Sequence, residues 1–185
     1  MRVAPIKDAI VRLRHTTFDS IRYNEYIQAM GKSIQAEIRQ TKPFTSLEDE
    51  ALVALQRTAD RLHWRLSEML KAHGLSPTQY NALRILRGAG DEGRACSEIA
   101  ERMINRDPDI TRLVDRLERR GLVFRSREGR DRRVITTRIT PAGLELLRAL
   151  DGRVEEFNRK MLGSLGEQQL QTLIRLLESA REQTK

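Results

Sequence analysis

The sequence predicts a mostly α-helical chain with one small β-hairpin, in the order helix, helix, helix, helix, hairpin, helix, helix. Three observations carry this reading. Apolar residues recur three and four apart from Leu52 to Met69, and again from Leu170 to Leu177, the period of a helix with one buried face. Between these stretches lie shorter apolar stripes, broken at Gly74, Gly88-Ala89-Gly90 and Gly121 as helix ends are. Leu122–Arg127 and the β-branched run Arg133–Ile139 flank a Glu128-Gly129-Arg130-Asp131-Arg132 tip, the pattern of a hairpin. Two short helices followed by a basic hairpin describe a winged helix-turn-helix, set here between N- and C-terminal helices that read as dimerisation helices.

Residues 1–45 form an N-terminal extension with no strong periodicity; Ile10, Leu13, Phe18, Ile21, Tyr23 and Ile27 suggest weak helix, and Thr41–Thr45 reads as a linker. Residues 46–74 are the N-terminal dimerisation helix. Ser46 with Asp49 resembles a capping box with the shorter acid, and Glu48 and Glu50 suit the positive helix end. Leu52, Leu55, Ala59, Leu62, Leu66 and Met69 then make one apolar seam. Residues 75–140 are the DNA-binding lobe. Its first helix opens with Ser76 as cap, Pro77 at N1 and Gln79 at N3, and turns Tyr80, Leu83 and Leu86 inward. A short helix spans Ser97–Met103, and a third begins at Asp107-Pro108 and ends at Gly121. Residues 141–185 are C-terminal dimerisation helices. Thr140-Pro141 restarts a helix to about Met161, and Ser164 with Glu167 reads as a capping box opening the last one. The long seams exceed what a three-helix lobe can cover, so a second copy of the chain is the expected cover.

Charge points to a partner. The net charge is +8, concentrated in two places: residues 93–140 hold 13 basic against 8 acidic side chains, and residues 1–45 hold 8 against 4. Such asymmetry favours a polyanion. Only 4% of residues are aromatic, too few for a platform that stacks single-stranded bases. One cysteine cannot make an internal disulfide, which fits a reducing cytoplasm. No apolar run approaches the ~20 residues of a membrane span. Three scattered histidines and Cys96 give no zinc or iron spacing, and no cofactor motif is present. Nothing suggests catalysis either: there is no anion-binding glycine loop, convergent carboxylate pair or aimed nucleophile. Cys96 reads as a structural thiol.

The third lobe helix is the candidate reader of duplex DNA. Ile110, Leu113, Val114 and Leu117 form its inner stripe, leaving Arg112, Asp115, Arg116 and Arg119 outside. N-terminal residues of such a helix reach base edges in the major groove, here Pro108, Asp109, Thr111 and Arg112. Arg112 or Arg116 can take a guanine or a phosphate. Asp109 can accept from a cytosine amino group or cap the helix, and Ser97 can take a phosphate from the preceding helix. The hairpin crowds Arg125, Arg127, Arg130, Arg132, Arg133 and Arg138 together. That costs stability unless an anion or internal acids balance it. Arg127, Arg130 and Arg133 are candidates for minor groove and backbone, with Asp131 aiming Arg133.

Four segments in register resemble the MarR family of bacterial regulators. These are Leu75–Tyr80, Ser97–Arg102, Thr111–Glu118 before Gly121-Leu122-Val123, and Asp131-Arg132-Arg133 leading to Ile139-Thr140-Pro141-Ala142-Gly143. The resemblance runs from about Leu47 to Leu177. It implies a homodimer on a pseudo-palindromic operator, with an effector pocket between the dimer helices and the lobe. By position, Thr111 and Arg112 fall at groove contacts, and Asp131 with Arg133 matches an Asp-x-Arg wing motif. The chain departs from the family at Pro108 and Asp109, where relatives often carry small hydroxyl residues, at Ala95, where a hydroxyl cap is common, and in its long N-terminal extension. His63 and Trp64 are candidate effector-pocket residues. The expected function is a sequence-specific, ligand-released repressor. The alternative is an architectural DNA-binding protein with no effector and little sequence preference.

Overall fold

The computed structural model describes residues 33–105, 109–127 and 135–184, and the chain divides into two compact units, residues 1–61 and 62–185. The weak helix read over residues 10–27 lies outside the described residues.

In the first unit, α1 (Ile34–Glu37) is a single turn capped by Ser33, whose Oγ accepts the Ala36 N–H at 3.3 Å. Glu37 takes Arg57 Nε and Arg61 Nη2, each at 2.9 Å, from the first half of α2 (Leu47–Lys71). Ser46 caps α2 as expected, accepting the Asp49 N–H at 3.2 Å. The Glu48 carboxyl is held below the usual range by its own backbone N–H and by the Ser46 hydroxyl. Asp49 does not reach back to complete the box; its carboxylate accepts from Thr45 Oγ1 at 3.3 Å instead. On this half of α2, Leu52 and Leu55 are 55% and 45% exposed.

The second unit holds the rest of α2, then α3 (Pro77–Ala89), β1 (Arg94–Ala95), α4 (Cys96–Arg102), α5 (Ile110–Arg119), β2 (Val123–Ser126), β3 (Thr136–Ile139), α6 (Pro141–Leu162) and α7 (Gly166–Glu182). Gly74, at φ +66°, makes the left-handed turn out of α2. The box opening α3 is complete: Ser76 Oγ accepts the Gln79 N–H at 3.2 Å and Gln79 Oε1 accepts the Ser76 N–H at 3.1 Å. Around this start the core assembles from Leu70, Leu83, Leu86, Ile99, Val114, Leu117, Leu147 and Leu150, all fully buried. Each such side chain contributes about 1.5–3 kcal/mol relative to exposure. Leu66 and Met69 pack against this cluster, so the last part of the α2 seam serves the lobe's own core.

The sheet has the order β1-β3-β2, antiparallel throughout. Val123 pairs with Ile139 and Ser126 with Thr136, the expected hairpin, while Arg94 and Ala95 pair with Thr137 and Thr136 on the other edge. Thr140 ties the hairpin root to α6, donating to Gly121 O at 2.7 Å and accepting the Gly143 N–H at 3.1 Å.

Three helix starts differ from expectation, that of α4 by a single residue, at Cys96 rather than Ser97. The third lobe helix begins at Ile110 rather than Asp107-Pro108, because the Asp109 carboxylate accepts the Arg112 N–H at 3.0 Å and so stands as the cap. The last helix begins at Gly166 without a side-chain cap; Ser164 sits in the one-turn 3-10 segment Gly163–Leu165, which spends the expected cap residue before the helix starts. No residue of α7 is buried, and Ile174 is 54% exposed. No helix among the described residues is long and apolar enough to cross a membrane.

Candidate nucleic-acid interface

The reading helix is set by its buried side. Ile110, Leu113, Val114 and Leu117 are buried in the lobe, and this fixes the rotation of α5 so that Thr111, Arg112, Arg116 and Arg119 are exposed. Arg112 is drawn to the helix start, its Nε 3.0 Å from Asp109 Oδ2. Asp109 therefore does both jobs of a cap: it satisfies a free N–H and places negative charge at the positive helix end. The turn before α5 is clamped from α3, where Asn81 Oδ1 accepts the Ile104 N–H at 2.8 Å.

Ser97 is exposed in the first turn of α4. Ala95, at the cap position, has no oxygen to offer; half a box survives, with Glu98 Oε2 accepting the Ala95 N–H at 2.9 Å. That leaves the Ser97 hydroxyl uncommitted to Glu98 and open at the surface.

The hairpin arginines fall into two groups. Arg125 turns inward, with Nη2 at 2.6 Å from Asp115 Oδ1, Nη1 at 3.1 Å from Glu118 Oε2, and a further bond to Thr111 O at 3.3 Å. The Glu118 carboxylate also accepts the Arg125 backbone N–H at 3.0 Å. Burial opposes the charge on this guanidinium, but the Asp115 and Glu118 carboxylates together raise its pKa above the ordinary value. Arg138 is likewise held, donating to Asp91 O at 2.6 Å and to Ser126 Oγ. The Arg125 charge is thus balanced by acids within the fold, the second of the two outcomes expected for the crowded arginines, while Arg138 is engaged by a carbonyl and a hydroxyl. Arg127, just past β2, is exposed. Pro108, Arg130, Asp131 and Arg133 lie outside the described residues.

His63 and Trp64 are both exposed on α2, and the Arg65 guanidinium lies over the Trp64 ring at 5.3 Å from its centre. Cys96 is free and half-buried at the start of α4. Among the described residues, no group of three or more His, Cys, Asp or Glu side chains is placed to hold a metal ion.

Sequence reasoning missed β1 and the Arg125 clasp. A two-residue strand has no periodicity to detect, though Gly93 marks it: a Cβ there would stand 2.5 Å from Thr137 O. The clasp had a signal in two acids three apart on α5 ahead of an arginine on the next strand.

A capped helix with an arginine-bearing outer face, clamped against a preceding short helix and followed by an antiparallel wing, is a winged helix-turn-helix. A model described as MarR family matches residues 73–134. The HTH-type transcriptional repressor IacR of Pseudomonas putida is 30% identical over 131 residues, covering 71% of this chain and 77% of that one. The crystal structure of a MarR transcription factor from Planctomyces limnophilus is 45% identical with a TM-score of 0.57, covering 74% of this chain and 98% of that one. The HTH-type transcriptional regulator MhqR of Bacillus subtilis is 30% identical over 95 residues, 51% of this chain and 64% of its own length. The chain belongs to the MarR family of transcription regulators.

Proposed function

We propose that this protein is a sequence-specific, double-stranded-DNA-binding transcription repressor that works as a homodimer in the cytoplasm and is released from a pseudo-palindromic operator by a small-molecule effector. The observation that carries the reading is α5, whose outer face presents Thr111, Arg112 and Arg116 while its inner stripe is fixed in the core. In this reading those three residues meet the groove or its phosphates, with Pro108 and Asp109 at the base-proximal end. Ser97 takes a phosphate at the α4 start, and Arg127, Arg130 and Arg133 serve the minor groove and backbone, Asp131 aiming Arg133. The name of the Pseudomonas putida relative supports repression.

Exposed Leu52 and Leu55 on α2, with Ile174 and Leu176 on α7, support a second copy as their cover. An effector acts in this scheme near His63 and Trp64 by changing the spacing of the two lobes. No catalytic role is part of the reading.

The test is selection of bound duplexes from a random pool. An inverted repeat with half-sites about one turn (~10 bp) apart is expected. Tight binding with no enriched motif would overturn sequence specificity in favour of a DNA-coating protein.

A further inference from the structure

Two helix ends meet beside the α2–α3 turn. α2 stops at Lys71 and turns at Gly74; α5 stops at Arg119 and turns at Gly121. Both glycines are left-handed, at φ +66° and +68°. Each end gathers unpaired carbonyls and partial negative charge, so two such ends brought together repel. Arg120, the cap residue of α5, bridges them. Its Nη1 donates to Gly74 O at 2.6 Å, across 46 residues of sequence. A Cβ on Gly74 would stand 3.3, 3.8 and 3.9 Å from its Nη2, Cζ and Nη1, so the guanidinium covers the face that a side chain there would fill. One cation thus serves two helix C-termini. Both ends are also anchored in one core, by Leu70 and Leu75 on either side of the turn and by Leu117 in the last turn of α5.

The use of this joint follows from what each helix carries. α5 presents Thr111, Arg112 and Arg116, while α2 carries on its first half the exposed Leu52 and Leu55 that the reading above gives to a second copy. We propose that Arg120 is a positioning residue. It holds the reading helix at a fixed angle to the end of α2, and so sets the separation at which two lobes meet DNA, without touching the duplex itself. A stiff joint makes a wrong half-site spacing costly, because DNA or protein must then deform to fit. A loose joint lets each lobe find its own half-site. The assignment rests on the dimeric DNA-binding reading and adds to it the residue that makes spacing matter.

The test is Arg120→Met, which keeps the bulk of the side chain and removes its donors and charge. Arg120→Lys, which restores the charge and a donor, is the conservative variant. Full-length proteins are titrated on the selected inverted repeat, on the same repeat with its spacer changed by one or two base pairs, and on a single half-site. Each titration is repeated over a range of salt. A hydrogen bond from a charged group corresponds to about tenfold at the lower end of its range. The wild-type preference for the selected spacing should shrink by about that factor in Arg120→Met and return in Arg120→Lys. Half-site affinity and salt slope should stay at wild-type values, since no base or phosphate loses a contact. An undiminished spacing preference in Arg120→Met overturns the positioning role and leaves the DNA-binding reading standing. A salt slope lowered by about 1 makes Arg120 a phosphate contact and overturns it too. Equal loss on every duplex, unrescued by Arg120→Lys, assigns the residue to the fold alone and has the same consequence. Wild-type binding that is indifferent to spacing overturns the operator reading itself, and the positioning role with it.

Discussion

Gly143 lies in the first turn of α6, where its conformation is ordinary for any residue, yet the space around it admits nothing larger. A Cβ at this position would stand 2.4 Å from Leu122 O and 2.7 Å from Ile139 Cγ1. Ordinary contact begins at 3.4 Å, so the Leu122 carbonyl would have to retreat by about 1 Å, and overpacking of that kind costs roughly 1–3 kcal/mol. That carbonyl accepts the Thr140 N–H at 3.0 Å, and the displacement strains this bond as well. Against these stands the helix propensity of alanine, about 1 kcal/mol better than glycine. Gly143→Ala should therefore lose a net ~1–2 kcal/mol, or about 2–8 °C in Tm for a chain of this length. Gly152, also in α6, has nothing within 4 Å of its Cβ position. Gly152→Ala should gain up to ~1 kcal/mol. Urea midpoints and Tm, taken at one protein concentration because association shifts both, separate the two. Equal or greater stability in Gly143→Ala, or a loss no larger than that of Gly152→Ala, would refute the steric argument for the wing root.

Four further outcomes are expected. Arg125→Leu should cost roughly 1–2 kcal/mol, discounted because Asp115 and Glu118 are more than a third exposed; it should also weaken DNA binding, and stability unchanged at low salt would mean the clasp is absent in solution. The Tyr80 phenol is pushed above its ordinary pKa of 10.0, first by burial. The folded state then holds that proton more tightly, so this contribution is full below pH 10 and lost as pH rises through the folded value; Tyr80→Phe should lack the alkaline loss, and parallel urea-midpoint curves for the two proteins would count against it. Leu55→Asp should convert dimer to monomer in sedimentation, whereas Leu66→Asp should also unfold the lobe, since Leu66 packs on its core; a persistent Leu55→Asp dimer places the interface elsewhere. Arg133→Ala should lower the salt slope of DNA binding by about 1, and an unaltered slope would remove that residue from the DNA.

The helices were legible because their buried faces carry the period that burial demands. Leu83 and Leu86, or Leu113, Val114 and Leu117, can be read inward from spacing alone, and Ser76 with Gln79 announces its helix through hydrogen bonds local to four residues. What escaped is non-local. Ser164 and Glu167 have a box spacing, but a 3-10 turn takes the serine before the helix begins, and nothing within four residues fixes that choice. Pairing of Arg94 and Ala95 with β3 depends on residues about forty positions away. The inward turn of Arg125 depends on the angle between α5 and β2, which no periodicity encodes.

That inward turn changes which charges can act on DNA. For Arg125 to reach a phosphate it must leave two carboxylates that it now neutralises, and those would then face the same phosphates with like charge. The exchange gains one attraction and creates two repulsions, so Arg125 stays with α5. The same fixed charges tie the first wing strand to the reading helix through Asp115, Glu118 and the Thr111 carbonyl. Wing root and α5 therefore move as one piece. In the proposed ligand-released dimer, an effector would then have little leverage on the angle between them, and far more on the distance between two such pieces. The positive field offered to a duplex then comes from Arg112, Arg116 and Arg119 on α5 and from exposed Arg127 just past β2, and in the proposed dimer the spacing of two such surfaces is what an operator would measure.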